Sequence, residues 1–128
     1  GVLQGLTIDE IHARYQPELD SLRRDWLDHR VEGGESRRMM QARAYALFSE
    51  AAESEPGPEV ALVGHGGIVR VLIHRLFPSL PIDRAQSPIQ NTSLTTCIRD
   101  GAGWRLERLA ETPHLTPHAP PSGEIEAQ

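Results

Sequence analysis

Residues 60–73 read Val-Ala-Leu-Val-Gly-His-Gly-Gly-Ile-Val-Arg-Val-Leu-Ile, and this stretch decides the fold class. Its first four residues form a short, uninterrupted apolar run that follows a Pro-Gly-Pro break, a pattern typical of a strand buried on both faces. After the glycines, a second apolar stretch that continues to Leu76 predicts a helix. A strand, a tight turn and a helix in this order favour layered α/β architecture over a helical bundle.

Two helices are predicted near the start of the sequence. Thr7, followed three residues later by Glu10, has the form of a capping box and predicts a helix over residues 8–15. Pro17 marks a restart, and apolar residues at helical spacing continue a second helix to about Asp28.

Ser36 is placed to cap a third helix over residues 37–54, after a Gly-Gly break. The apolar spacing within this helix predicts the side chains that face the core. They are Met40, Ala44, Leu47, Phe48 and Ala51.

The remainder of the sequence predicts a loop from Pro78 to about Gln90 and then a β-hairpin. Residues 93–100 and 104–109 have strand character, and Gly101-Ala102-Gly103 separates them as a turn. Prolines and polar residues dominate residues 113–128, which we expect to be a disordered tail. We therefore predict one domain over residues 1–112.

The turn at residues 64–67 is the predicted functional site. In open α/β sheets, ligands gather at the carboxyl ends of strands, and the helix that follows offers unpaired N–H groups to an anion. Glycines on both sides of His65 let the backbone approach an oxyanion closely. The histidine itself can donate to a phosphoryl oxygen, move a proton or become phosphorylated.

Two other interpretations of this turn remain. His65 can simply cap backbone groups of the helix. Gly-His-Gly-Gly also resembles the oxyanion loop of α/β-hydrolase esterases, but the Gly-x-Ser-x-Gly elbow that such an esterase needs does not occur in this sequence.

The composition limits the classes of partner that we expect this protein to bind. The formal net charge is −5, and all 13 basic residues are arginines. An acidic balance argues against non-specific nucleic-acid binding, which needs clustered cations. No apolar run approaches the roughly 20 residues that span a bilayer. Cys97 is the single cysteine, so no cysteine metal cluster can form within the chain. We expect a cytoplasmic protein without a metal site and without nucleic-acid or membrane partners.

Five segments in the right order resemble the histidine phosphatase superfamily, which includes the cofactor-dependent phosphoglycerate mutases. Residues 1–7 (Gly-Val-Leu-Gln-Gly-Leu-Thr) are similar to its Gly-x-x-x-Gly-Leu-Thr stretch, and residues 34–36 match its Gly-Glu-Ser helix start. Residues 63–67 (Val-Gly-His-Gly-Gly) match the second-histidine motif. Residues 91–94 and 112–115 are similar to segments that close the domain.

This resemblance implies a three-layer phosphoglycerate mutase-like sandwich and gives residues their roles. His65 corresponds to the second active-site histidine, which stabilises the phosphoryl group in flight, and the backbone N–H of Gly66 is the phosphate-binding donor beside it. Arg23 or Arg24 is a candidate to reach the substrate, although two solvated surface arginines explain this pair equally well.

The sequence also departs from the family pattern. The phosphorylated nucleophile of the family is the histidine of an Arg-His-Gly triplet, and no such triplet occurs here. The resemblance places that triplet and the family's acidic glutamate upstream of Gly1. We therefore expect an N-terminally truncated domain with little activity on its own. The missing first strand leaves an unpaired sheet edge, which favours strand exchange or self-association.

The resemblance implies hydrolysis of a small phosphorylated metabolite through a phosphohistidine, without a cofactor, and the pattern of residues 6–7 and 34–36 favours a phosphatase over a mutase. The alternative is a catalytically inactive domain that binds phosphate or a phosphorylated ligand at His65.

Overall fold

The computed structural model describes residues 1–54, 59–80 and 89–115. These residues form four helices and one two-stranded antiparallel sheet. They divide into two compact units, Gly1–Ile89 and a second that begins at Gln90. The combination of helices and sheet confirms the predicted α/β class.

Helix α1 spans Ile8–Arg14 and begins at the predicted capping box. The backbone N–H of Glu10 donates to Thr7 Oγ1 at 3.3 Å, and the backbone N–H of Thr7 donates to Glu10 Oε2 at 2.8 Å. Two N–H groups that a helix start leaves without partners are thereby satisfied.

Helix α2 spans Gln16–Arg24 and carries Pro17 in its first turn, where a missing N–H costs nothing. It ends four residues before the predicted end at Asp28. The side chain of Asp25 gives the reason, because its Oδ1 accepts from the backbone N–H of Asp28 at 3.0 Å. Aspartate side chains compete in this way with the helical hydrogen bonds of the backbone.

Helix α3 spans Arg37–Ser54, as predicted, and Ser36 caps it by accepting the backbone N–H of Met39 on its Oγ at 3.3 Å. It packs against helix α4, which spans Gly66–Leu76. The core lies between them, at Ala44 of α3 and at Val71 and Ile73 of α4.

The predicted apolar stripe of α3 is wrong at one position. Leu47 is 60% exposed, whereas Gln41, a polar residue that the apolar pattern leaves out, is buried. Gln41, Ala44 and the half-buried Phe48 follow one another at helical spacing, and the side chain of Gln41 donates to the carbonyl of Val71 on α4. Leu47 lies beside this row of α3. Which apolar residues of α3 are buried therefore depends on where α4 packs.

The strand predicted at residues 60–63 is also wrong, since this segment belongs to no sheet. Val60 is 43%, Leu62 46% and Val63 102% exposed, the opposite of burial on both faces. A strand is held by hydrogen bonds to a neighbour. Within residues 1–54, 59–80 and 89–115, no other segment pairs with this one, and the apolar run has no strand to join.

The hairpin comprises β1, Leu94–Asp100, and β2, Gly103–Glu111, and confirms the predicted pair of strands. Its register pairs Asp100 with Gly103 at the turn. The carboxylate of Asp100 accepts the backbone N–H of Ala102 at 2.8 Å, and Gly103 has a φ of 122°, which side-chain-bearing residues rarely adopt.

Two further predictions fall on residues that the structure does not describe. Residues 81–88 contain most of the predicted loop, and residues 116–128 contain most of the predicted tail. No helix in the described parts of the chain is long and apolar enough to cross a membrane.

Candidate functional site

His65 is the residue immediately before helix α4 and has an extended backbone conformation (φ −74°, ψ 150°). Its side chain makes no capping hydrogen bond to the helix. The residue is exposed, and its ring has no hydrogen-bond partner among residues 1–54, 59–80 and 89–115. The interpretation of His65 as a structural cap is therefore wrong, and its imidazole is available to a ligand.

The first turn of α4 supplies donors beside that imidazole. The carbonyl of His65 accepts the N–H groups of Ile68 at 2.9 Å and Val69 at 3.2 Å. The N–H groups of Gly66 and Gly67 have no acceptor within the described part of the chain. No acidic side chain lies in this turn to neutralise the positive end of the helix dipole. The arrangement suits an oxyanion.

The two glycines of this turn have different surroundings. A Cβ placed on Gly66 would lie 3.2 Å from the carbonyl oxygen of Ile89 and 3.4 Å from its Cγ2. A Cβ on Gly67 would meet no atom within 4 Å. A side chain on Gly66 would therefore crowd Ile89, whereas Gly67 leaves open space over the helix start.

Arg23 and Arg24 lie in the last turn of α2 and are engaged there. Arg23 Nη1 is 2.8 Å from the Asp20 carboxylate, and Arg24 Nη2 donates to Ser21 Oγ at 3.1 Å. Both side chains make these contacts within their own helix on the surface, which favours the surface interpretation over a role in substrate binding.

The Gly-Glu-Ser segment has structural partners. Ser36 caps α3, and Glu35 forms two hydrogen bonds with Arg43, at 2.7 and 3.1 Å. The side-chain hydrogen bond from Arg43 holds the pKa of Glu35 below its ordinary value. Within the described residues, no group of three or more metal-ligating side chains occurs.

A cavity of about 310 Å³ lies at the opposite end of α4 from His65. No sequence pattern indicates this cavity, because basic residues in the last turn of a helix are common and complement the helix dipole. Its lining comes from three parts of the first unit and comprises Leu27, Arg38, Gln41, His74, Arg75 and Pro78.

Comparison with protein families gives a match over nearly the whole chain. The model of the histidine phosphatase superfamily (branch 1) matches residues 1–112. The chain belongs to the histidine phosphatase superfamily. The segments that carry the resemblance in the sequence all begin within this match, and His65 with its Gly-Gly helix start lies inside it.

Among curated proteins, phosphoglycerate mutase-like protein 4 of Arabidopsis thaliana is 30% identical over 84 residues. The match covers 65% of this chain and 35% of that protein, so the chain spans about a third of this relative. No solved structure matches the chain significantly.

Proposed function

We propose that this chain forms the second-histidine part of a phosphomonoester hydrolase, whose phosphorylated histidine lies on polypeptide outside these 128 residues. One observation carries the proposal: His65 stands at the start of α4, and neither its imidazole nor the two backbone N–H groups beside it have a hydrogen-bond partner among the described residues. Family membership supports phosphoryl chemistry at this place, and the absence of Arg-His-Gly from the sequence supports a nucleophile supplied from elsewhere.

In the proposed reaction, a nucleophilic imidazole nitrogen forms a P–N bond as the ester P–O bond breaks, and an acid outside these 128 residues gives its proton to the leaving alkoxide. Water then attacks phosphorus and gives a proton to the same group, the P–N bond breaks, and phosphate leaves. His65 donates an N–H to the phosphoryl oxygens throughout, and the Gly66 N–H assists it. Donors fixed in advance around developing negative charge are among the strongest contributions to catalysis.

The proposed anion site can be tested with the 128-residue chain alone. We expect titration with inorganic phosphate to shift the backbone amide resonances of Gly66 and Gly67, and His65→Ala to abolish these shifts. His12→Ala is the matched control, because His12 is an exposed histidine on α1 whose ring contacts Gln16. Equal shifts in the His65→Ala variant would contradict the assignment.

Measurements of enzymatic turnover test whether the active site is shared between this chain and polypeptide outside it. We expect the 128-residue chain to hydrolyse p-nitrophenyl phosphate no faster than buffer, because the groups of such a site act as one unit. Robust turnover that survives His65→Ala would overturn the proposal. In a longer polypeptide that contains Arg-His-Gly, His65→Ala should lower kcat by roughly 10²–10³, the usual effect of removing one oxyanion donor.

The second candidate is a phospholigand-binding domain without catalysis. The intact donor set at the start of α4, in a sequence that lacks the nucleophile, favours it. The coding sequence upstream of the Gly1 codon distinguishes the two candidates. An in-frame strand ending in Arg-His-Gly supports the enzyme, and a start codon directly before Gly1 supports the binding domain.

A further inference from the structure

The cavity at the C-terminal end of α4 lies apart from His65. His74 and Arg75, which line it, come nine and ten residues after His65, which at 1.5 Å per residue is about 14–15 Å along the helix. No residue of the turn at 64–67 lines the cavity. A ligand held here is therefore independent of the phosphate site.

The buried amide of Gln41 fixes the proton on His74. Gln41 Nε2 lies 3.0 Å from the carbonyl oxygen of Val71, and because a carbonyl can only accept, the amide nitrogen is the atom that faces it. The same nitrogen lies 3.2 Å from His74 Nδ1, which must then be the acceptor. The neutral ring consequently carries its proton on Nε2. That N–H has no acceptor among the described residues.

Arg75 is a cationic residue in the lining of the same cavity. Its guanidinium lies over the Tyr45 ring, 5.2 Å from the centroid, and forms no ion pair with any carboxylate of the described residues. Stacking on an aromatic face leaves the edge of a guanidinium free to donate.

Arg38 contributes further hydrogen-bond donors to the cavity, although Asp28 partly neutralises its charge. Its Nε and Nη2 bind the carboxylate of Asp28, with Nη2 2.7 Å from Oδ2, and Asp25 also lies near enough to act on it. The two N–H bonds of Nη1 are not used in that pair. Asp28 and Asp25 therefore act on Arg38, and no acidic side chain of the described residues lines the cavity.

We propose that this cavity binds a small monocarboxylate. The carboxylate accepts from His74 Nε2 and the Arg75 guanidinium, and the apolar part of the ligand packs against Leu27 and Pro78. A volume of about 310 Å³ is at the low end for ligand pockets and suits a molecule of few heavy atoms. The lining combines the His74 and Arg75 donors with the apolar side chains of Leu27 and Pro78, which suits a carboxylate carried on a small apolar group better than inorganic phosphate, which needs donors on all sides.

Benzoate is the probe that tests this site. It is titrated at constant ionic strength, and the resonances of the His74 ring and the Trp26 indole are followed. Trp26 reports on the site because its ring lies 5.2 Å from that of His74. We expect saturable shifts at these two residues and none at the Gly66 and Gly67 amides. Saturable shifts at the glycines alone, or no saturation, would overturn the proposal.

Arg75→Gln supplies the decisive variant and should weaken benzoate binding about tenfold or more, the usual effect of losing a charge-assisted hydrogen bond. Arg99→Gln is the matched control, since the Arg99 guanidinium also lies over an aromatic ring, 5.8 Å from the Trp104 centroid in the hairpin. Equal weakening by both variants would indicate non-specific attraction and refute the site. Inorganic phosphate in place of benzoate should leave the Trp26 and His74 resonances unchanged; saturable shifts there would reject the choice of a carboxylate.

Discussion

Gly66 and Gly67 are neighbours in sequence but differ in the space around their α-carbons. This difference should appear in the stability of their alanine variants. We expect Gly67→Ala to stabilise the protein by up to about 1 kcal/mol, because alanine is the better helix former and nothing lies in its way. Gly66→Ala should lose this gain, since its Cβ crowds the carbonyl of Ile89. Urea denaturation of both variants measures the difference. Equal free energies of unfolding would show that Ile89 moves aside without cost.

Cys97, on strand β1, is half-buried, and burial raises the pKa of its thiol. A higher pKa lowers the fraction of reactive thiolate at about pH 8. We therefore expect iodoacetamide to modify Cys97 much more slowly in the folded protein than in urea, as followed by mass spectrometry. Equal rates in the two states would contradict this.

At the scale of elements, the start of α3 depends on one hydroxyl. Ser36→Ala removes the acceptor of the Met39 N–H and should lower the free energy of unfolding by about 1 kcal/mol. Ser49→Ala, in the interior of the same helix, is the control and should have no destabilising effect, because alanine has the higher helix propensity. Thermal unfolding measures both, and a loss of equal size in the two variants would argue against the cap.

The ion pair between Asp28 and Arg38 joins the segment after α2 to α3, and it makes stability depend on pH. The side-chain hydrogen bond from Arg38 lowers the pKa of Asp28 below its ordinary value of 3.8. Its stabilising effect is therefore complete above that value and disappears as the pH falls through the lower pKa of the folded state. Both side chains are exposed, so the effect is small.

Arg38→Gln tests this dependence through the melting temperature. We expect the variant to melt slightly below the wild type at neutral pH and the two curves to converge in acid. A difference that persists below the pKa of Asp28 would mean that Arg38 stabilises the protein by another contact. Arg14→Gln, which alters an exposed arginine of α1 paired with Glu10 over 3.7 Å, shows how much a weak surface pair contributes.

At the scale of the whole molecule, residues 60–63 form an exposed apolar segment with no backbone partner among the described residues. Such a segment is a template for pairing with another chain. We expect the 128-residue chain to self-associate with rising concentration, and Val63→Lys to reduce this association, as measured by sedimentation velocity. Leu47→Lys alters another exposed apolar residue, on α3, and should leave the association unchanged. Dissociation by Leu47→Lys alone would place the interface on α3.

Local signals predicted most of the helices and the hairpin. Thr7 with Glu10, Ser36 before α3, and the Gly-Ala-Gly turn act on backbone groups a few residues away, so their effects can be read from the sequence. The same kind of local pattern places His65 before a helix start, although that pattern leaves open whether its side chain caps the helix. Its assignment as the second active-site histidine came from resemblance, since no spacing rule supplies that role.

The sequence by itself determined where helices begin, where the hairpin turns, and that His65 precedes a helix start rich in glycine. Tertiary structure alone decided that Gln41 is buried while Leu47 is exposed, that residues 60–63 join no sheet, and that His74 and Arg75 line a cavity. The physical reason is the separation along the chain between the groups that interact. Caps and turns are satisfied by atoms nearby in the chain, whereas burial, strand pairing and cavities depend on which distant segment lies opposite.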